Sequence, residues 1–224
     1  TPETIEVSGS KIWEDENNQD GKRPTSITVN LLANGETVAS KAVTAAENWA
    51  WSFEDLPKYK AGNVITYTIT EDAVEGYQAE VDGYDIINRY TPDKTAISVF
   101  KVWDDEENQD GKRPTSITVQ LLTNGNVYEE VVLNASNNWR YTWSDLNKYN
   151  KGNEIAYTVD EITVPTGYTK SVTETSKGNF TITNTYAPET TSVSVEKVWN
   201  DTEDQDGLRP AEITVQLYAD GIAE

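Results

Sequence analysis

The segment QDGKRPTSITV from Gln19 to Val29 recurs without change from Gln109 to Val119, and a third copy opens as QDGLRPAEITVQL at Gln205. Lys-x-Trp triplets at Lys11, Lys101 and Lys197 precede these segments, 90 and then 96 residues apart. Solenoid units repeat every ~20–50 residues, so this longer period suits a string of whole domains, each burying its own core. Tyr90-Thr91-Pro92 and Tyr186-Ala187-Pro188 close the first two copies. The expected organisation is therefore a first repeat at 1–92, a second at 93–188, and the N-terminal fragment of a third at 189–224. The third stops after what should be its first two strands. Thr1-Pro2-Glu3-Thr4 resembles the linker at 187–191, which implies a further repeat upstream and a longer parent protein.

Each copy reads as all-β. Val, Ile, Thr, Tyr and Trp alternate in short runs such as Ile27-Val29-Leu31, Trp49-Trp51-Phe53 and Tyr67-Ile69. Asn34-Gly35 and Asn124-Gly125 lie between such runs and predict hairpin turns. Glu54 to Tyr59 and Asp145 to Tyr149 read as a turn or a single helical turn. No segment has a long helical period. An antiparallel sandwich of about seven strands fits each copy.

Composition narrows the chemistry. The 224 residues include no Cys, His or Met. Disulfides, Cys/His metal sites, thiol catalysis and histidine bases are excluded. The formal net charge of −20 argues against nucleic acid and anionic membrane as partners and favours a soluble monomer. No run of roughly 18 apolar residues is present to span a membrane.

Against that background, counting by twos puts three polar residues on the apolar face of strands, once in each complete repeat. Lys101 falls in step with Ile97, Val99 and Trp103. Glu161 falls in step with Ile155, Tyr157 and Val159, and Asn184 with Phe180, Ile182 and Tyr186. Lys11, Glu71 and Asn88 repeat the pattern with Ile5 and Trp13, with Ile65 and Ile69, and with Ile86 and Tyr90. Burying a lone ammonium or carboxylate costs several kcal/mol, so these groups need a reason to face inward. Burial lowers a lysine pKa and frees the nucleophilic amine, while it keeps a glutamic acid protonated. Such an acid can polarise an asparagine carboxamide. The amine then attacks the side-chain carbonyl carbon, forms an amide and releases ammonia, once and without an external substrate.

The Lys-Val-Trp strand, the Asn-Gln-Asp-Gly-Lys-Arg-Pro loop, the Asn-Trp pair, the Asp-Leu-x-Lys-Tyr segment, the Tyr-Thr-x-x-Glu strand and the closing Asn-x-Tyr carry a resemblance. Together they resemble the Cna B-type repeats of Gram-positive collagen adhesins, across both complete repeats and into the third. The resemblance implies an immunoglobulin-like β-sandwich fold and Lys–Asn isopeptide bonds, with Lys11 and Lys101 as amines, Asn88 and Asn184 as acceptors, and Glu71 and Glu161 as catalysts. It further implies an extracellular, cell-wall-anchored stalk that is not an enzyme acting on other molecules. Its partners are neighbouring repeats, and a separate region of the parent protein meets the host extracellular matrix. Lys197 has no partner residues here and is expected to stay a free amine.

Two other readings stand beside the stalk. The repeats themselves are a matrix-binding module, or a calcium-stiffened spacer. Asn18-x-Asp20-Gly21 and Asn108-x-Asp110-Gly111 resemble a calcium loop. However, counting from Glu16 or Glu106, the twelfth position is Ile27 or Ile117, where a bidentate glutamate is needed. A solvated turn, with Arg23 and Arg113 pairing to its carboxylates, is the ordinary reading, so no metal or cofactor is expected. The aromatic stripes Trp49-Trp51-Phe53 and Trp139-Tyr141-Trp143 read as core before they read as a carbohydrate platform.

Overall fold

A computed structural model describes residues 2–223. The first repeat contains β1 (Thr4–Glu14), β2 (Ser26–Ala33), β3 (Glu36–Thr44), β4 (Ala50–Pro57), β5 (Tyr59–Lys60), β6 (Asn63–Val64), β7 (Tyr67–Glu71), β8 (Gln78–Asp82) and β9 (Asp85–Arg89). The second repeats the series as β10 (Lys94–Asp104), β11 (Ser116–Thr123), β12 (Asn126–Asn134), β13 (Arg140–Asn147), β14 (Tyr149–Asn150), β15 (Asn153–Glu154), β16 (Tyr157–Glu161), β17 (Thr169–Ser176) and β18 (Asn179–Thr185). Among the described residues there is no α-helix, and none long and apolar enough to cross a membrane.

Seven main strands in each repeat form two sheets, in the order β4-β1-β9-β8 and β3-β2-β7, then β13-β10-β18-β17 and β12-β11-β16. The pairings are antiparallel with one exception per repeat. The first and last strands, β1 with β9 and β10 with β18, run parallel. Period-two alternation drives the inner faces together. Val7, Val29, Leu31, Val43, Trp51, Ile69 and Ile86 fill the first core; Val99, Val119, Leu121, Leu133, Trp143, Val159 and Ile182 fill the second. Asn34 and Asn124 adopt left-handed φ values of 52° and 50°, each followed by a positive-φ glycine, as a two-residue hairpin turn requires.

The expectation of a turn or helical turn after Glu54 and Asp145 is corrected. Strand β4 continues to Pro57 and β13 to Asn147 because β1 and β10 stay paired opposite them. Asp55 and Asp145 take φ of 54° and 59°, and the register shifts there, so each is a β-bulge in a strand. The aromatic stripes turn mostly inward, with Trp51 and Trp143 buried, although Tyr141 keeps 38% of its surface exposed.

The first compact unit ends at Pro188 and the second begins at Glu189. Among its described residues the second holds only a single 3-10 turn (Thr202–Asp204) and the short pair β19 (Tyr218–Ala219) and β20 (Ile222–Ala223). Of the two strands expected for this fragment, the first, around Lys197, is not a strand here. Strands exist by pairing, and residues 189–224 contain no counterpart of the β4 and β9 that hold β1 in place. Lys197 is exposed in this unit.

Candidate functional site

Strand order brings the polar residues together. Lys11 on β1 pairs with Ile86, and Trp13 with Asn88, so lysine and asparagine are diagonal neighbours on adjoining parallel strands. Lys101 pairs with Ile182 and Trp103 with Asn184 in the same way. The glutamates come from the facing sheet: Glu71 on β7 opposite Val29, and Glu161 on β16 opposite Val119. Lys11, Asn88, Lys101, Glu161 and Asn184 are all buried, and the Glu71 side chain is 1% exposed. An amine, a carboxyl and a carboxamide therefore share one core in each repeat.

The two sets rest in different arrangements. In the first, Lys11 Nζ lies 2.9 Å from Glu71 Oε1 and donates to Oε2 at 3.1 Å. Neither polar atom of Asn88 has a hydrogen-bond partner. In the second, Asn184 Nδ2 donates to Glu161 Oε1 at 3.0 Å. Lys101 Nζ donates to the Val102 carbonyl at 2.8 Å and sits 3.8 Å from the Trp103 ring centre. Glu161 Oε2 and Asn184 Oδ1 are left without partners. Buried orphans of this kind are costly, and a native core seldom keeps them without a use.

Electrostatics differ in step with geometry. Burial pushes Lys101 down to about 8, partly opposed by the Glu161 and Asp105 charges. Burial also lowers the Lys11 pKa, opposed by its hydrogen bond and ion pair with Glu71. Burial raises Glu161, against the hydrogen bond from Asn184 and the Lys101 charge. In the second repeat burial thus favours the neutral amine of Lys101 and the neutral acid of Glu161.

An aromatic cluster closes one end of each site. Trp13 meets Trp49 and Tyr77 edge-on, both at 5.1 Å; Trp103 meets Trp139 and Tyr168, both at 5.3 Å. Behind it, Asp15 binds Arg23 (2.5 and 3.0 Å) and the Tyr77 hydroxyl (2.9 Å). Asp105 binds Arg113 and the Tyr168 hydroxyl (2.8 Å). These aspartates are 2% exposed, so the loop expected to be a solvated turn is in fact anchored in the domain. The pairing with Arg23 and Arg113 was legible from charge; the tyrosines were not. The repeated Gln-Asp-Gly was the available signal for Asp20, a carboxylate 5% exposed that accepts from the Tyr90 hydroxyl at 2.9 Å. Among the described residues, no group of three or more acidic side chains is arranged to hold a metal ion.

Comparison with known proteins adds relatives. A family model described as "Cna protein B-type domain" matches residues 7–89, 97–185 and 193–224. A collagen adhesin from Staphylococcus aureus is 50% identical over 222 residues, which is 99% of this chain and 19% of that protein. The chain thus spans about a fifth of that relative's length. The crystal structure of two B repeat units of the S. aureus collagen-binding protein aligns with 99% of this chain and 60% of its own, at 49% identity and a TM-score of 0.58. A single B repeat unit of the same protein is also 49% identical, over 83% of this chain and all of its own, with a TM-score of 0.42.

Proposed function

The chain belongs to the Cna protein B-type domain family, and from that premise we propose that its two complete repeats are stalk domains, each locked by an isopeptide bond between its lysine and its asparagine. The proposed domain bounds are 1–92, 93–188 and 189–224. The observation that carries the reading is the sharing of one core by an amine, a carboxyl and a carboxamide, twice, with the lysine and asparagine on adjoining strands. In the reaction the neutral Lys Nζ attacks Cγ of Asn88 or Asn184. The protonated Glu71 or Glu161 hydrogen-bonds the carboxamide oxygen as negative charge develops, then relays the proton lost by the amine to the departing nitrogen. The new C–N bond replaces the old one, and ammonia leaves. A half-turn of the Asn184 carboxamide exchanges Oδ1 for Nδ2 and presents its oxygen to Glu161.

The product removes a buried amine and a buried carboxamide together. It closes a loop of about 80 residues, for which chain entropy gives about 4.5 kcal/mol of stabilisation. In a chain with no cysteine, this is a covalent staple that no reductant opens. By analogy with the S. aureus adhesin, the stalk stands outside the cell, anchored to the wall, and projects a separate region that meets the host matrix. A calcium-stiffened spacer has less support, because Asp15 and Asp105 are occupied by arginine and tyrosine.

Intact mass spectrometry tests the bonds. The native chain is expected two ammonias lighter than its sequence mass. Glu161→Ala restores one ammonia, and Lys22→Ala, in the loop, restores none. An unshifted native mass refutes the cross-link. Solid-phase assay against collagen tests the stalk: saturable binding at low micromolar concentration by the repeats alone would replace it with a binding module.

A further inference from the structure

The junction between the two complete repeats is built from one loop and one hairpin. Gln19 accepts from Gly152 N at 3.2 Å through its backbone carbonyl, and its side-chain amide donates to the Tyr149 carbonyl. Asp20 Oδ2 accepts from the backbone N–H of Asp93, in the linker, at 2.7 Å and from the Tyr90 hydroxyl. Next to it the two backbones touch. A Cβ on Gly21 would lie 2.6 Å from Gly152 Cα, and one on Gly152 would lie 3.2 Å from Gly21 Cα. Gly21 leaves no room for a side chain, Gly152 leaves little, and both adopt the positive φ that favours glycine.

The parts recur along the chain. Gln-Asp-Gly stands again at 109–111 and 205–207, and Asp110 accepts the Tyr186 hydroxyl at 2.9 Å as Asp20 accepts that of Tyr90. The β5–β6 hairpin pairs Tyr59 with Val64 and Lys60 with Asn63, the register of Tyr149 with Glu154 and Asn150 with Asn153. Gly62 has the same φ of 80° as Gly152, yet nothing lies within 4 Å of a Cβ placed on it.

We propose that the Gln-Asp-Gly loop is a socket for the hairpin tip of the following repeat, that this contact sets the angle between consecutive repeats, and that the uncovered β5–β6 hairpin is the matching surface for the Gln-Asp-Gly loop of a preceding repeat. The aspartate ties the linker to the socket, and the paired glycines bring the two main chains into contact. The occupant is another copy of this repeat, because that is what the covered hairpin already holds.

The absence of cysteine makes the test direct. Nitroxide labels on Lys41→Cys and Glu129→Cys, exposed positions on β3 and β12, report the distance between repeats by pulsed electron–electron resonance on the full chain. The parent is expected to give one narrow distribution. Gly152→Val is expected to at least double its width, while Gly62→Val, equally strained at φ 80° but facing open space, leaves it unchanged. Gln19→Ala, which introduces no backbone strain, is expected to broaden the distribution as well and covers the case in which Gly152→Val fails to fold. A broad parent distribution, or an unchanged width in a folded Gly152→Val or in Gln19→Ala, overturns the socket. In a chain extended by a copy of residues 1–90 before Thr1, with labels at both Lys41 positions, Gly62→Val in the original repeat becomes the broadening substitution. A silent Gly62→Val there overturns the role given to the β5–β6 hairpin.

Discussion

Asn184→Ala converts the proposed covalent core of the second repeat into one that titrates. Without its acceptor Lys101 stays an amine, 2% exposed, with its pKa pushed from 10.5 to about 8 by burial. Between those values the unfolded chain binds the proton that the folded chain has released, so unfolding is favoured by protons and stability rises with pH. A gap of about 2.5 corresponds to about 3.4 kcal/mol, fully lost below pH 8 and fully recovered above 10.5. From pH 7 to 9.5 the recovered part is about 2 kcal/mol, or roughly 10 °C in the melting temperature of a domain this size. The window stops at 9.5 because Tyr168, raised to about 12 by burial, begins to oppose the trend above pH 10. Calorimetry on the full chain at a series of pH values reads the transition of the second repeat against the parent protein. If the proposed cross-link forms, Lys101 of the parent is an amide nitrogen and that contribution is absent. The reasoning fails if the Asn184→Ala transition does not rise relative to the parent. The cross-link fails if the parent shows the same rise.

Other consequences are independent of that bond. Arg113→Ala leaves the buried Asp105 carboxylate with only the Tyr168 hydroxyl and the Asn108 backbone N–H as donors and no opposite charge, and is expected to cost roughly 3–5 kcal/mol in denaturant titration, the cost of a broken buried pair. Asp105 is held down to about 2, chiefly by its hydrogen bonds from Arg113, so the stability it gives the parent is present above pH 4 and lost as pH falls through 2. Gly9→Ala puts a Cβ 1.9 Å from the Tyr84 carbonyl oxygen, and the first repeat is expected to lose roughly 2–3 kcal/mol by the same measurement while the second is unchanged. Acylation at pH 7.5 followed by peptide mapping is expected to modify exposed Lys197 and spare buried Lys11 and Lys101; modification of either buried lysine in the folded chain contradicts its placement.

Period two sufficed to turn Lys11, Lys101, Asn88 and Asn184 inward, because each strand has one buried face and a slip of one residue would expose every apolar partner. It did not reveal that lysine and asparagine adjoin. That depends on the sheet order, in which the first and last strands meet after about 70 intervening residues, and no local pattern records it. The bulges at Asp55 and Asp145 escaped for a related reason. Asp-Leu-x-Lys-Tyr has turn-like composition, and only pairing with β1 or β10 keeps it extended. Asp15 and Asp20 were misread as solvated because acidic loop residues ordinarily are. Their tyrosine donors lie 62 and 70 residues away. Asn88 lies on β9, which begins at Asp85, whose carboxylate accepts from the backbone N–H and the hydroxyl of Ser10 at 2.7 and 2.9 Å.

The parallel pairing decides what a bond at this place does under load. Tension along a string of repeats enters the first at the N-terminal end of β1 and leaves past the C-terminal end of β9. Parallel neighbours pulled in this way are sheared, and their ladder resists as a set. In the first repeat that ladder has only four paired positions, Lys11 to Glu14 with Ile86 to Arg89. The second has seven, from Ser98 to Asp104. An amide between Lys11 and Asn88 bridges the strands at this ladder and diverts force from β1 directly into β9. Residues 12–87, which hold most of the core, then lie outside the load path. The shorter ladder makes the first repeat the one that would depend more on the proposed bond, although it is the second whose lysine burial brings down to about 8.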